Sequence, residues 1–152
     1  MSQAKEDQVV NTLSVGLINF VNATGDRSMM ELATMALRDV RDVFVENIRA
    51  NDICTFAFPS MVILPDIRTD CFVAVLNDRV IVAWRKGLFR KTTVSRVIPK
   101  STIKQASQAV SNRPGSRGAT LLTIIADETI DIALPMGKPV VADAVVAAVQ
   151  AK

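Results

Sequence analysis

The chain has 152 residues, of which 49% are apolar and 22% charged, so the composition indicates one globular domain rather than a disordered chain. Histidine and tyrosine are absent and there is one tryptophan. This removes the commonest general base and metal ligand, and leaves few aromatic platforms for single-stranded nucleic acid. We therefore predict no enzymatic activity, no cofactor and no metal site.

The first fifty residues predict two amphipathic helices joined by a short loop. Apolar residues recur at three- and four-residue steps over residues 7–23, and Gly25 is suited to ending a helix. The sequence Ser28-Met29-Met30-Glu31 predicts a capping box, in which Ser28 and Glu31 each bond the other's backbone amide. The second helix is expected to end near residue 49, which completes an αα-hairpin.

The second helix is apolar over a wider arc than one packed face requires. Two interpretations follow: the hairpin packs both apolar stripes onto the rest of the chain, or the second helix also serves as an oligomer interface. Methionine-rich surfaces adapt readily to partners, which favours the second interpretation. The predicted interface residues are Met29, Leu32, Met35, Val40, Phe44 and Ile48.

After residue 50, helical periodicity gives way to short β-branched and aromatic runs bounded by turn residues. The predicted strands are residues 53–64, 71–76, 80–85, 92–98, 102–110, 119–126 and 129–134. Pro59 predicts an edge, a bulge or a split in the first of them. A final amphipathic helix follows, with Pro139 in its first turn. The expected division is a helical appendage at residues 1–50 and a domain at residues 51–152.

The two cysteines, Cys54 and Cys71, have no histidine or third cysteine to complete a zinc site. Buried free thiols are the favoured interpretation; a disulfide between neighbouring strands and a reactive nucleophile are the alternatives. Free thiols agree with a reducing cytoplasm. The most apolar window, residues 9–21, is too short to span a bilayer, so we expect a soluble cytoplasmic protein whose membrane contact would be peripheral.

Residues 79–104 contain eight Lys or Arg and no Asp or Glu, within a chain whose net charge is +3. A tight turn at Asn77-Asp78 precedes this run, a basic loop around Gly87 interrupts it, and the sequence Ile-Pro-Lys-Ser-Thr-Ile occupies residues 98–103. This pattern resembles bacterial members of the pleckstrin-homology-like (PH-like) superfamily. Seven predicted strands followed by one helix match the same resemblance, which extends over residues 53–152.

The resemblance implies an α+β fold: a PH-like seven-stranded antiparallel barrel or sandwich capped by a C-terminal helix. The N-terminal helical hairpin lies outside it. The superfamily binds lipids, peptides and proteins on one scaffold, so fold alone does not assign a ligand. Members that bind phosphoinositides use basic residues around the loop between their first two strands. Residues 65–70 offer one Arg and two Asp there, and no high-affinity inositol phosphate site is expected.

The basic segment has three interpretations. Its charges protect a solvated sheet edge from aggregation, or its loop docks on an anionic membrane or acidic partner, or it binds nucleic acid, which is the least favoured. The docking hypothesis names Arg85, Lys86, Leu88, Phe89, Arg90 and Lys91. We expect a non-enzymatic interaction or scaffold module that self-associates, with a peripheral membrane adaptor as the alternative and no small-molecule substrate.

Overall fold

A computed structural model describes residues 3–65, 67–87, 89–112, 114, 116–134 and 139–151. Two helices come first, α1 (Gln3–Thr24) and α2 (Met29–Asn47). The strands are β1 (Cys54–Ile63), β2 (Arg68–Leu76), β3 (Arg79–Lys86), β4 (Thr92–Pro99), β5 (Gln105–Val110), β6 (Thr120–Ile125) and β7 (Thr129–Ala133). A 3₁₀ turn, Lys100–Thr102, precedes β5, and α3 (Pro139–Gln150) follows β7.

The predicted helical hairpin is confirmed, but the predicted capping box is wrong. Gly25 ends α1 with φ at +72°. Ser28 has helical backbone angles and its side chain does not cap α2. Instead, the Asp26 carboxylate accepts hydrogen bonds from the Ser28 amide at 2.9 Å and from the Ser28 hydroxyl at 2.7 Å. Asp26 therefore orders the turn that Ser28 and Glu31 were expected to close.

The strands form one antiparallel sheet in the order β4-β3-β2-β1-β7-β6-β5. With two helices before it and one after it, this α+β arrangement is that of a PH-like sandwich, and the predicted fold class is confirmed. The strand predicted from residue 102 begins later, at Gln105, because Lys100–Thr102 forms the 3₁₀ turn.

Pro59 lies in the part of β1 that has one strand beside it. Along its length β1 pairs with β2, whereas its register with β7 covers Met61 to Ile63. Proline has no N–H to donate. At this position no second strand among the described residues pairs with β1, so the missing donor costs no ladder hydrogen bond, as at the edge of a sheet. Here α1 packs along β1, and Phe20 stacks on Phe58 with ring centroids 4.6 Å apart.

The sheet carries an apolar core on each face. The inner core lies between the sheet and α3 and includes Phe58, Val73, Val82, Trp84, Ile132 and Val145. The outer core lies between β1–β3 and the helical hairpin and includes Leu13, Phe44, Ile48, Phe72, Ala74 and Ile81. The hairpin therefore packs its apolar stripe onto the sheet, and β2 and β3 are covered on both faces over most of their length.

The Arg79 side chain is buried at the end of the sheet where β2 turns into β3. Its guanidinium pairs with Asp52 at 2.7 Å and with Asp78, and donates to the carbonyl of Asn47 at the end of α2. Burial alone would raise the pKa of Asp52, but the hydrogen bond and charge of Arg79 outweigh it, so that pKa is lowered. One arginine thus ties α2 to the sheet.

Lys100 is also buried, and its Nζ donates to the carbonyl of Ala148 at 2.8 Å. Burial lowers the pKa of this lysine. A cation that bonds a carbonyl of the last helical turn compensates both the unpaired acceptor and the negative end of the helix. Lys100 therefore anchors α3 against the sheet.

Candidate interaction site: the basic loop and the α2 groove

The basic loop, which we define as residues 85–91, joins β3 to β4 at the opposite end of the sheet from Arg79. Arg85, Lys86, Arg90 and Lys91 are exposed there. Phe89 is 100% exposed and therefore contacts no part of its own chain substantially. Leu88, the other apolar residue of the predicted docking patch, lies outside the described residues.

Gly87 permits the tight path of this loop. Its φ is +116°, and a Cβ at this position would lie 2.3 Å from the carbonyl oxygen of Arg90. A side chain is excluded both by the backbone conformation and by the close approach. The loop geometry thus follows from a glycine that is visible in the sequence.

Three of the four remaining cations of the basic segment have partners within the fold, and the fourth, Lys104, is exposed. Arg79 and Lys100 are buried in the contacts described above. Arg96, on edge strand β4, places its guanidinium 5.4 Å from the centre of the Trp84 ring and its Nε 2.6 Å from Glu128. The segment therefore contains a sheet edge with one arginine that is already paired, and one compact loop with exposed charges.

Next to the loop lies a cleft of 620 Å³ between α2 and the outer face of the sheet, which we call the α2 groove. Its apolar lining includes Leu32, Met35 and Ala36 of α2 and Pro59 and Met61 of β1. Leu32 is 49% and Met35 60% exposed, so neither residue is covered by the chain itself. The charged residues that line the α2 groove include Arg38, Asp39, Asp70, Arg85 and Lys91.

The loop and the groove are contiguous. Arg85 and Lys91 line the groove and also form the base of the loop, where Arg85 Nη2 donates to the carbonyl of Lys91 at 3.4 Å. Arg85 Nη1 lies 3.9 Å from the Asp39 carboxylate. Asp39 immediately precedes a break in α2, since Val40 has non-helical angles of −125° and 16°. The surface therefore combines an apolar cleft, a mixed-charge rim and a basic loop.

The six residues predicted for the oligomer interface on α2 divide into a buried and an exposed set. Met29, Val40, Phe44 and Ile48 are buried within the chain, because the sheet and α1 cover that side of the helix. Of the six predicted residues, Leu32 and Met35 remain accessible to a partner. Both residues lie off the main apolar stripe of α2, and this position in the sequence indicated that they would be accessible. No sequence signal identified Pro59 and Met61 as the opposite wall of the α2 groove.

Cys54 and Cys71 are both free and buried, as the favoured interpretation predicted. They belong to opposite cores, Cys54 to the outer and Cys71 to the inner, so this fold excludes a disulfide between them. Burial raises the pKa of Cys54 to about 12, and burial followed by the charge of Asp70 raises the pKa of Cys71 further. Neither thiol has the low pKa of a reactive cysteine.

Within the described ranges, no three His, Cys, Asp or Glu side chains are grouped closely enough to hold a metal ion. None of the helices in these ranges combines the length and the apolar character needed to cross a membrane.

No family model matches the sequence, and no curated protein shows significant sequence similarity to it. Among solved structures, the C-terminal domain of an unknown protein from Leishmania infantum is similar with a TM-score of 0.49 at 9% identity, over 78% of this chain and 97% of that one. The hSac2 domain of the human phosphoinositide phosphatase Sac2 has a TM-score of 0.48 at 9% identity, over 79% of this chain and 77% of its own. Both TM-scores are below 0.5.

Proposed function

We propose that the chain is a non-enzymatic interaction module of the bacterial PH-like type, acting in the cytoplasm and self-associating through the α2 groove. The observation that carries the proposal is the exposure of Leu32 and Met35 on the wall of an apolar cleft. Phe44 of α2 is buried against the sheet, and Met30, at the start of the helix, is exposed but outside the groove lining. These two are uncovered beside a concave surface.

Leaving this apolar surface in water costs free energy. Burial of apolar surface contributes roughly 25 cal/mol per Å², and concave apolar clefts of about 300–1,000 Å³ are typical of binding sites. Methionine fits irregular partner surfaces because its side chain is unbranched and polarizable.

The test is light scattering on wild-type protein over a wide concentration range, together with Met35→Arg. The wild type is expected to form a dimer or larger assembly, and Met35→Arg is expected to be monomeric because it puts a charge on the groove wall. Ile18→Arg on α1 is the matched control, since Ile18 is a 50% exposed apolar helix residue outside the groove lining. A wild-type monomer at high concentration, or an assembly that survives Met35→Arg, would refute the proposal.

A second candidate function, a peripheral membrane adaptor, is favoured by one observation: a fully exposed phenyl ring, Phe89, on a loop with four exposed basic residues. Each basic residue near an anionic membrane contributes about 1 kcal/mol, so binding would be weak and sensitive to salt.

Liposome sedimentation with and without anionic lipid, at two salt concentrations, tests the membrane function. The double variant Arg90→Glu plus Lys91→Glu should abolish sedimentation. The control, Lys104→Glu plus Arg117→Glu, changes two exposed basic residues outside the loop and should retain it. Sedimentation that is independent of anionic lipid, or is unchanged in the loop variant, would exclude this function.

A further inference from the structure

We propose that a cleft between α1 and α2 binds a medium-chain fatty acid, a carboxylate with an unbranched apolar chain, whose headgroup pairs with Arg38 and Arg41. This interhelical cleft has a volume of 370 Å³, within the range of about 300–1,000 Å³ that is typical of ligand sites. It is a second cleft beside the α2 groove, and Met35 and Arg38 line both. The inference does not depend on self-association through the α2 groove.

Each of the two helices is anchored to the sheet by its own contacts, and the interhelical cleft remains between them. α1 stacks Phe20 on Phe58 of β1, whereas the end of α2 is held by Arg79 through the carbonyl of Asn47. The lining of the cleft includes Phe72 of β2, a residue of the outer core that is buried beneath the helices. The sheet therefore supplies a phenyl ring at the floor of the cleft.

The walls of the interhelical cleft are mainly apolar. α1 contributes Val10, Leu13 and Leu17, and α2 contributes Met30 and Leu37. Val10 and Leu17 are seven residues apart, which is about 10 Å along a helix at about 1.5 Å per residue. A slot of this length with apolar walls accommodates an extended hydrocarbon chain, and each methylene that it removes from water favours binding.

The charged residues that line the interhelical cleft are Arg38 and Arg41, and its described lining contains no carboxylate. Both arginines are exposed, and neither forms an ion pair with a carboxylate of the described residues. Along α2 they occupy one end of the lining and Met30 occupies the other. Guanidinium groups bind carboxylates through charge-assisted, often paired, hydrogen bonds. The headgroup and the chain of a fatty acid therefore have separate places in the cleft.

The combination of features selects an amphiphilic anion over simpler ligands. An inorganic anion would contact the arginines and leave the apolar walls in water, and a neutral hydrocarbon would leave the two guanidinium groups without a partner. The α2 groove differs in this respect, because Asp39 and Asp70 are among its lining residues and offset its cations. The interhelical cleft is thus cationic where the α2 groove is mixed.

The first test is calorimetric titration of the wild-type protein with octanoate, octanol and octylammonium, which share one chain and differ in headgroup charge. Octanoate should bind saturably at one molecule per chain, octanol more weakly, and octylammonium most weakly. Decanoate should bind about tenfold more tightly than octanoate, because it buries two more methylenes. Octylammonium that binds as tightly as octanoate, or octanoate that does not bind saturably, would overturn the proposal.

The second test removes the cationic site with Arg38→Gln plus Arg41→Gln. The octanoate dissociation constant should rise about fivefold or more, whereas that of octanol should not change, because a neutral headgroup has no ion pair to lose. The control, Lys104→Gln plus Arg117→Gln, removes the same charge from exposed residues outside the cleft lining and should bind octanoate as the wild type does. Equal losses in the two double variants would overturn the assignment of the headgroup site.

The third test blocks the place of the chain. Ser14 is half-buried and lines the cleft from α1, so Ser14→Phe should fill the slot and abolish binding of both octanoate and octanol. Ser14→Ala is the matched control and should retain binding, and thermal unfolding checks that both variants fold. If Ser14→Phe does not fold, the arginine variants and the three headgroups still decide the question. A folded Ser14→Phe variant with wild-type affinity for octanoate would overturn the location between the helices.

Discussion

Arg79 is the first cation of the basic run in the sequence, yet its side chain is buried and held by two carboxylates and a helix carbonyl. Lys100 likewise bonds a carbonyl of α3, and Arg96 is engaged by Trp84 and Glu128. The number of Lys and Arg residues in the run therefore overstates the number of charges available for binding. A linear sequence does not show which cations have a partner, because Asp52 is distant along the chain from Arg79, and Ala148 from Lys100.

Asp52→Asn is expected to destabilise the protein by about 2–3 kcal/mol at neutral pH, because a buried guanidinium loses its buried carboxylate partner. The folded-state pKa of Asp52 lies below the ordinary value of 3.8. Its contribution is therefore fully present above about pH 4 and is lost as pH falls through the lower, folded-state value.

Urea unfolding from pH 7 to pH 2 checks this expectation. The difference between wild type and Asp52→Asn should be constant above about pH 5 and should shrink below about pH 4. Asp127→Asn, in the exposed β6–β7 turn, is the control and should change stability by less than about 0.5 kcal/mol. A difference that grows toward low pH would contradict the assigned direction of the pKa.

At the scale of elements, α1 approaches β1 at one position more closely than any residue with a side chain would allow. Gly16 lies at the contact, where a Cβ would be 2.4 Å from Cys54 Sγ and 2.9 Å from the amide of Ala57. The close approach brings the helix near the part of β1 that β7 does not pair. A glycine in the interior of a helix normally weakens it, so here packing outweighs helix propensity.

Gly16→Ala should therefore destabilise the protein by about 1–3 kcal/mol, although alanine is the better helix former. Asn11→Ala, on the exposed side of α1, is the matched control and should be neutral or slightly stabilising. Thermal unfolding of both variants measures the difference. A Gly16→Ala variant as stable as the wild type would mean that α1 can move away from β1 without loss.

The elements themselves were largely predictable, since apolar periodicity identified three helices and seven strands. The predictions are wrong where contacts outside a helix or strand determine the residue at which it begins. β2 begins at Arg68, three residues before the predicted start at Cys71, because pairing with β1 continues through polar residues at the open end of the sheet. The Ser28–Glu31 pattern was a poor guide to the start of α2, because Asp26, two residues before Ser28, accepts the hydrogen bond from the Ser28 amide that Glu31 was expected to accept.

At the scale of the whole molecule, the sequence predicted that α2 has an accessible apolar face. It did not show which residues of that face the sheet covers. Phe44 and Met35 are both apolar residues of α2, and the sheet covers the first and leaves the second exposed. The α2 groove also depends on β1, and its opposite wall follows from tertiary packing alone. Of the candidate site, the basic loop was therefore predictable and the groove was not.

If the basic loop docks on an anionic membrane, binding must weaken with salt. The fraction of protein that sediments with anionic liposomes is expected to fall when sodium chloride is increased from about 0.1 M to 1 M, because the screening length falls from about 10 Å to 3 Å. Liposome sedimentation at the two salt concentrations measures this dependence. Sedimentation that does not change with salt would contradict an electrostatic contribution of the loop.

The coverage of β2 and β3 on both faces also has a consequence for biosynthesis. The hairpin precedes the strands in the chain, so α1 and α2 leave the ribosome before the strands that receive them have emerged. Until β3 has emerged, Leu13, Phe44 and Ile48 have no outer core to join. The nascent hairpin thus exposes an apolar stripe for the time needed to add about forty residues, at roughly 5–20 residues per second. This interval is when the chain is most open to chaperones and to misassociation.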